Sequence, residues 1–91
     1  MSKNVVLNGD VTTGVSPNCP NVPVQSISSS TVSFNGKNIV LDGDLYTSHC
    51  GYQASIIASS NITVNGKKIA LAGDKLTDND VATSSSTMSI G

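Results

Sequence analysis

A six-residue phrase recurs three times in this chain: Val5-Val6-Leu7-Asn8-Gly9-Asp10, Ile39-Val40-Leu41-Asp42-Gly43-Asp44 and Ile69-Ala70-Leu71-Ala72-Gly73-Asp74. A second phrase recurs as often, but displaced: Ser29-Ser30-Thr31-Val32-Ser33-Phe34, Ser59-Ser60-Asn61-Ile62-Thr63-Val64 and Ser85-Ser86-Thr87-Met88-Ser89-Ile90. In the two inner copies Asn35-Gly36 or Asn65-Gly66 joins the phrases. The outer copy is split, so that its later half opens the chain and its earlier half closes it. An open stack of repeats needs a cap at each end. A repeat cut in this way lets the C-terminal strand pair with the N-terminal one, and predicts a closed object with pseudo-threefold symmetry.

The local pattern is that of strands. Val32-Ser33-Phe34, Ile62-Thr63-Val64 and Met88-Ser89-Ile90 place apolar residues at i and i+2, the period of a strand. Asn-Gly is the preferred two-residue type I′ turn, because both of its positions need positive φ. The Ser, Thr, Asn and Gly content suits short strands and turns rather than helices. With no Trp and 3% aromatic residues, the core has to come from Val, Ile and Leu. The expected fold is all-β: a small cone or pyramid of three hairpin repeats, in one domain spanning 1–91. Asp10, Asp44 and Asp74 are expected to bind local backbone N–H groups, as Asp does in Asx turns, rather than to form a catalytic or metal cluster.

Charge and length exclude other classes. The formal net charge is -1, with no run of basic residues, which weighs against nucleic-acid binding. MSKNVVLNGD has no apolar run suited to a signal peptide, and no later run suits a bilayer span. The expected place of synthesis is the cytoplasm, where Cys19 and Cys50 are reduced thiols.

After each Gly-Asp the chain makes an excursion before the next strand, long from Val11 to Pro23, medium from Leu45 to Gln53, short from Lys75 to Asn79. Insertions at one point of a repeat gather on one face. The excursions hold both cysteines and the single histidine: Cys19, His49 and Cys50. Thiolate and imidazole are ligands of structural zinc, which takes four. Only three good ligands are present; the candidates for the fourth are Asp78 or Asp80 of the third excursion, a buried water, or none. The competing readings are a surface His with two buried thiols, or a Cys19–Cys50 disulfide. A Cys nucleophile with a His base has no third orienting residue and no large residues to shape a pocket.

The pattern strand–NGK–strand–GD followed by TSHCG resembles the PAAR-repeat family, the spike-tip proteins of type VI secretion systems and T4-like phage tails. The residues that carry the resemblance are Val32 to Gly51, extended by Val64 to Asp74, Val5 to Asp10 and Ser85 to Gly91. The resemblance implies a cone whose flat base caps the trimeric β-helix of a VgrG-like or phage central spike protein, one copy per trimer. It also implies a zinc ion near the tip, with His49 at a family ligand position and Cys19 and Cys50 in the tip loops; it names no fourth ligand, for which the residues themselves offer Asp78. The chain departs from the family pattern at GDVTTG, which lacks a His, and at GDKLTDND, which has neither His nor Cys; the Pro-Ala-Ala-Arg string is absent.

The function so implied is a non-enzymatic, membrane-piercing tip that meets the target cell envelope and is assembled on a phage tail or secretion tube. The short chain, with no added domain, favours the tail. Alternation is expected to turn Val5, Leu7, Ile39, Leu41, Ile69 and Leu71 inward. Val6, Val40 and Ala70 would then point outward and, with Ser33, Thr63 and Ser89, form the docking base. A Ser/Thr-rich β-repeat adhesin and a small zinc hydrolase are the competing functional readings.

Overall fold

The structure, a computed structural model, describes residues 3–14, 23–48, 51 and 53–90. All regular structure among them is β, in six two-residue strands: β1 (Lys3–Asn4), β2 (Ser33–Phe34), β3 (Lys37–Asn38), β4 (Thr63–Val64), β5 (Lys67–Lys68) and β6 (Ser89–Ile90). They pair as three antiparallel hairpins, β2 with β3, β4 with β5, and β1 with β6. The third pair joins the two ends of the chain, with Lys3 opposite Ile90 and Asn4 opposite Ser89. The closure expected from the split repeat is therefore present. Asn35 and Gly36 have φ of 54° and 81°, and Asn65 and Gly66 have 53° and 82°. Positive φ at both central positions is the type I′ signature.

Below the hairpins the three recurring phrases close into a ring. Val6 N–H donates to Ala70 C=O at 3.0 Å, Ala70 N–H to Val40 C=O at 2.9 Å, and Val40 N–H to Val6 C=O at 2.9 Å. Single bridges Val5–Leu71, Leu7–Ile39 and Leu41–Ile69 flank these bonds. A second ring follows, bridged at Thr12–Ala82, Ser26–Tyr46 and Ile56–Leu76. The body measures 32 × 26 × 22 Å.

One expectation is overturned here. Val6, Val40 and Ala70 do not point to solvent; each is 0% exposed. The alternation is real, but both faces of the ring are covered. Val5, Leu7, Ile39, Leu41, Ile69 and Leu71 form one cluster, against which Phe34, Val64, Met88 and Ile90 of the hairpin segments pack. Val6, Val40 and Ala70 form the other, with Tyr46, Ile56, Leu76 and small residues of the second ring. An apolar side chain on either face of such a layer gains by leaving water, ~1.5–3 kcal/mol for a fully buried Val, Leu or Ile. Ser33, Thr63 and Ser89 are exposed on the hairpins.

Each recurring phrase ends in the same turn. Asp10 N–H donates to Leu7 C=O at 3.0 Å, and the same bond joins Asp44 to Leu41 and Asp74 to Leu71. The penultimate residue has φ of 90° at Gly9, 85° at Gly43 and 94° at Gly73. A type II turn requires that conformation at its third position and so selects Gly there. The Asp side chain then folds back, and its Oδ2 accepts the Leu N–H at 2.8 Å from Leu7, 2.8 Å from Leu41 and 2.9 Å from Leu71. The local role expected of these carboxylates is confirmed.

They also tie distant segments. Asp10 Oδ1 accepts Ser85 Oγ–H at 2.5 Å, and Asp74 Oδ1 accepts Ser59 Oγ–H at 2.5 Å. Ser29 donates likewise to Asp44. The backbone N–H of each Ser binds the second oxygen of the same carboxylate. A buried carboxylate is costly unless it is hydrogen-bonded. Here each has at least three donors.

Candidate functional site

The excursions leave and return on the second ring. Their roots are the backbone bonds Thr12 N–H to Val24 C=O (3.0 Å), Tyr46 N–H to Ala54 C=O (2.9 Å) and Leu76 N–H to Asp80 C=O (2.8 Å). The excursions thus depart after Thr12, Tyr46 and Leu76 and return at Val24, Ala54 and Asp80. Each begins two residues later than the sequence suggests, because Val11, Leu45 and Lys75 are bridged to Gln25, Ser55 and Val81.

Neighbouring roots are stitched to one another. Thr47 N–H donates to Gln25 C=O at 2.8 Å, joining the first excursion's end to the second's start. Thr77 N–H reaches Ser55 C=O at 2.9 Å, and Thr13 N–H reaches Val81 C=O at 2.9 Å. All three excursions therefore rise from one closed ring, as expected from their common position in the repeat.

The third excursion also anchors the first. Asp80 is 2% exposed. Its Oδ1 accepts Thr13 Oγ–H at 3.0 Å and Gly14 N–H at 3.1 Å. The carboxylate thus fixes the outgoing limb of the excursion that carries Cys19. Asp78 serves its own loop: Oδ1 accepts Asp80 N–H at 3.0 Å, an Asx turn.

Cys19, His49 and Cys50 lie outside the described residues. Among the described residues there is no group of three or more His, Cys, Asp or Glu side chains able to hold a metal. The fit of zinc rests on the donor set and on the roots. Two thiolates and an imidazole suit this borderline-soft ion, and the excursions that carry them are stitched together at Gln25 and Thr47.

Tyr46 fills the core between the roots and the first ring. It is 0% exposed, and its hydroxyl has no hydrogen-bond partner among the described residues. Burial pushes its phenol above the ordinary tyrosine range, and the charges of Asp10, Asp80, Asp74 and Asp44 push it further the same way.

Sequence reasoning missed two features of this architecture. The Ser partners of the Gly-Asp carboxylates had a signal, a Ser-Ser pair at the same place in all three copies. Asp80 as an anchor had none, since its equivalents are Val24 and Ala54.

A profile of the PAAR motif matches residues 1–79. The chain belongs to the PAAR-motif family. Its role is accordingly structural and associated with the spike tip of contractile injection or type VI secretion machinery, in a family that associates with spike proteins and is not enzymatic. No curated protein matches the chain at a significant level.

Proposed function

We propose that this chain caps the trimeric β-helix of a central spike, one copy per trimer, and ends the shaft in a point that meets the target envelope. The observation that carries the reading is the ring of three hydrogen bonds through Val6, Ala70 and Val40. One chain makes a threefold body that matches a threefold shaft. A β-helix end leaves strand edges open, which invites unwanted association, and a pseudo-threefold cap covers three at once. The hairpin end is the docking side in this reading. It offers the half-buried Phe34, Val64, Met88 and Ile90, with the exposed Ser33, Thr63 and Ser89 beside them.

The excursions form the leading end. Zinc held by Cys19, His49 and Cys50, with Asp78 or a water in the fourth position, would supply rigidity where loops carry no apolar core. The chain is made in the cytoplasm and assembled at the tip of a phage tail or secretion tube. Nothing observed favours the adhesin or hydrolase readings.

The test is elemental analysis of the protein co-purified with a trimeric β-helix spike fragment. One zinc per chain and one chain per trimer are expected. His49→Ala should lower metal content while leaving spike binding intact. A metal-free chain that ignores the spike would overturn the reading.

A further inference from the structure

The fold gathers charge that the sequence spreads thinly. Four of the five basic residues, Lys3, Lys37, Lys67 and Lys68, lie on the hairpins and are exposed. None of the six acidic residues does. Three of the lysines occupy one register position: Lys3 stands opposite Ile90, Lys37 opposite Phe34 and Lys67 opposite Val64. Ile90, Phe34 and Val64 are the half-buried apolar residues packed on the hairpin-side core. A lysine therefore stands beside each apolar contact, once per repeat. Lys67 also lines a shallow groove together with Ile27 and Leu45.

Four of the protein's six carboxylates are committed elsewhere. Asp10, Asp44 and Asp74 are buried and held by Ser85, Ser29 and Ser59. Asp80 is buried and holds Thr13 and Gly14.

We infer that the hairpin end recognises three acidic groups, one from each chain at the end of a homotrimer. Lys3, Lys37 and Lys67 form a cationic rim that pairs with three symmetry-related carboxylates around the apolar contact. This rests on the spike-capping function proposed above and adds the chemistry of the partner's end. Rim charges contribute mainly to encounter and orientation, while the apolar centre holds the complex. A ring of three carboxylates repels itself on a bare trimer end. A cap with three ammonium groups at matching positions relieves that repulsion, and a cap with one does not. Lys68 is the departure from symmetry, since Asn4 and Asn38 occupy its equivalent positions.

The experiment uses two trimeric β-helix spike ends that differ in one residue per chain on the terminal rung, Glu in one and Gln in the other. Affinity for the full chain is measured by calorimetry at low and high salt. The Glu end should bind about tenfold more tightly at low salt, the order expected of three rim ion pairs, and the preference should fade at high salt. A Lys3→Gln, Lys37→Gln, Lys67→Gln triple variant that melts like the parent should lose the preference, and the corresponding Arg triple should keep it. Equal binding of both ends at every salt would overturn the acidic-rim inference and leave spike capping standing. Binding of neither end would overturn both.

Discussion

Ser85 donates its hydroxyl proton to Asp10 at 2.5 Å, across 75 residues of sequence. The same bond joins Ser59 to Asp74, only 15 residues apart, at 2.5 Å. The two contacts are equivalent in space and differ only in where the chain was cut. The last segment of the protein is thus a structural member of its first turn.

Removing the carboxylate should therefore cost as much at the split repeat as within an intact one. Asp10→Ala strands the N–H groups of Leu7 and Ser85 and the hydroxyl of Ser85. Loss of about 3 kcal/mol is expected, since a buried donor left unpaired costs ~1–3 kcal/mol. Asp44→Ala should cost about the same. Urea titrations of both variants measure this. A much smaller loss for Asp10→Ala would mean that the end of the chain is not held as a working part of the fold.

The closure also predicts that the cut can be moved. Ile90 and Lys3 stand in the same register as Phe34 and Lys37, and the latter pair is spanned by Asn35-Gly36 alone. Replacing Gly91, Met1 and Ser2 by Asn-Gly should join the ends through a type I′ turn. Reopening the chain between Asn35 and Gly36 then creates new termini at the equivalent point. The permuted protein should keep the parent's circular dichroism and melt within a few degrees of it, as a 1 kcal/mol change shifts Tm by roughly 4–8 °C in a domain of this size. A molten or aggregated product would show that the split position is required for folding.

Much of this was legible in the sequence because it is local or repeated. The turns at Asn35-Gly36 and Asn65-Gly66, the Gly-Asp turns and the closure all follow from short-range chemistry copied three times. The direction of Val6, Val40 and Ala70 was not legible. Period two separates two faces, but it does not say that both will be covered, and that depends on a second ring bridged between residues 20 to 70 apart in sequence. The gathering of Lys3, Lys37 and Lys67 was hidden for the same reason. The loops that carry Cys19, His49 and Cys50 have no repeat partner to copy from, so their chemistry rested on residue type alone.

The three copies differ in one place that invites repair. Asn8 Oδ1 accepts Ser28 N–H at 2.8 Å, and Asp42 Oδ1 accepts Ala58 N–H at 2.8 Å. The third copy has Ala72 at this position and Ser84 at the equivalent of the donor, so it has no side chain to make the bond. Ala72→Asn should supply it and raise stability by about 1 kcal/mol, the usual net value of one hydrogen bond. The denaturation midpoint reports the gain, and a neutral or negative change would show that the third copy is not geometrically equivalent to the other two.

Tyr46 gives a pH-dependent test of the core. Its folded-state pKa is raised, chiefly by burial, so the folded protein holds the phenolic proton more tightly than the unfolded chain does. The corresponding stability is fully present below the unfolded value, about 10, and is lost as pH rises from there through the higher folded value. Tyr46→Phe removes both the titration and a hydroxyl that has no partner among the described residues. At neutral pH the variant should match the parent or exceed it by up to about 1 kcal/mol, because an unpaired buried hydroxyl is a cost. Above pH 10 its stability should fall less steeply than the parent's. Urea midpoints collected from neutral to strongly alkaline pH separate the two effects. A clear loss at neutral pH would show that the hydroxyl is hydrogen-bonded after all, and identical alkaline slopes would show that the phenol does not titrate from a buried position.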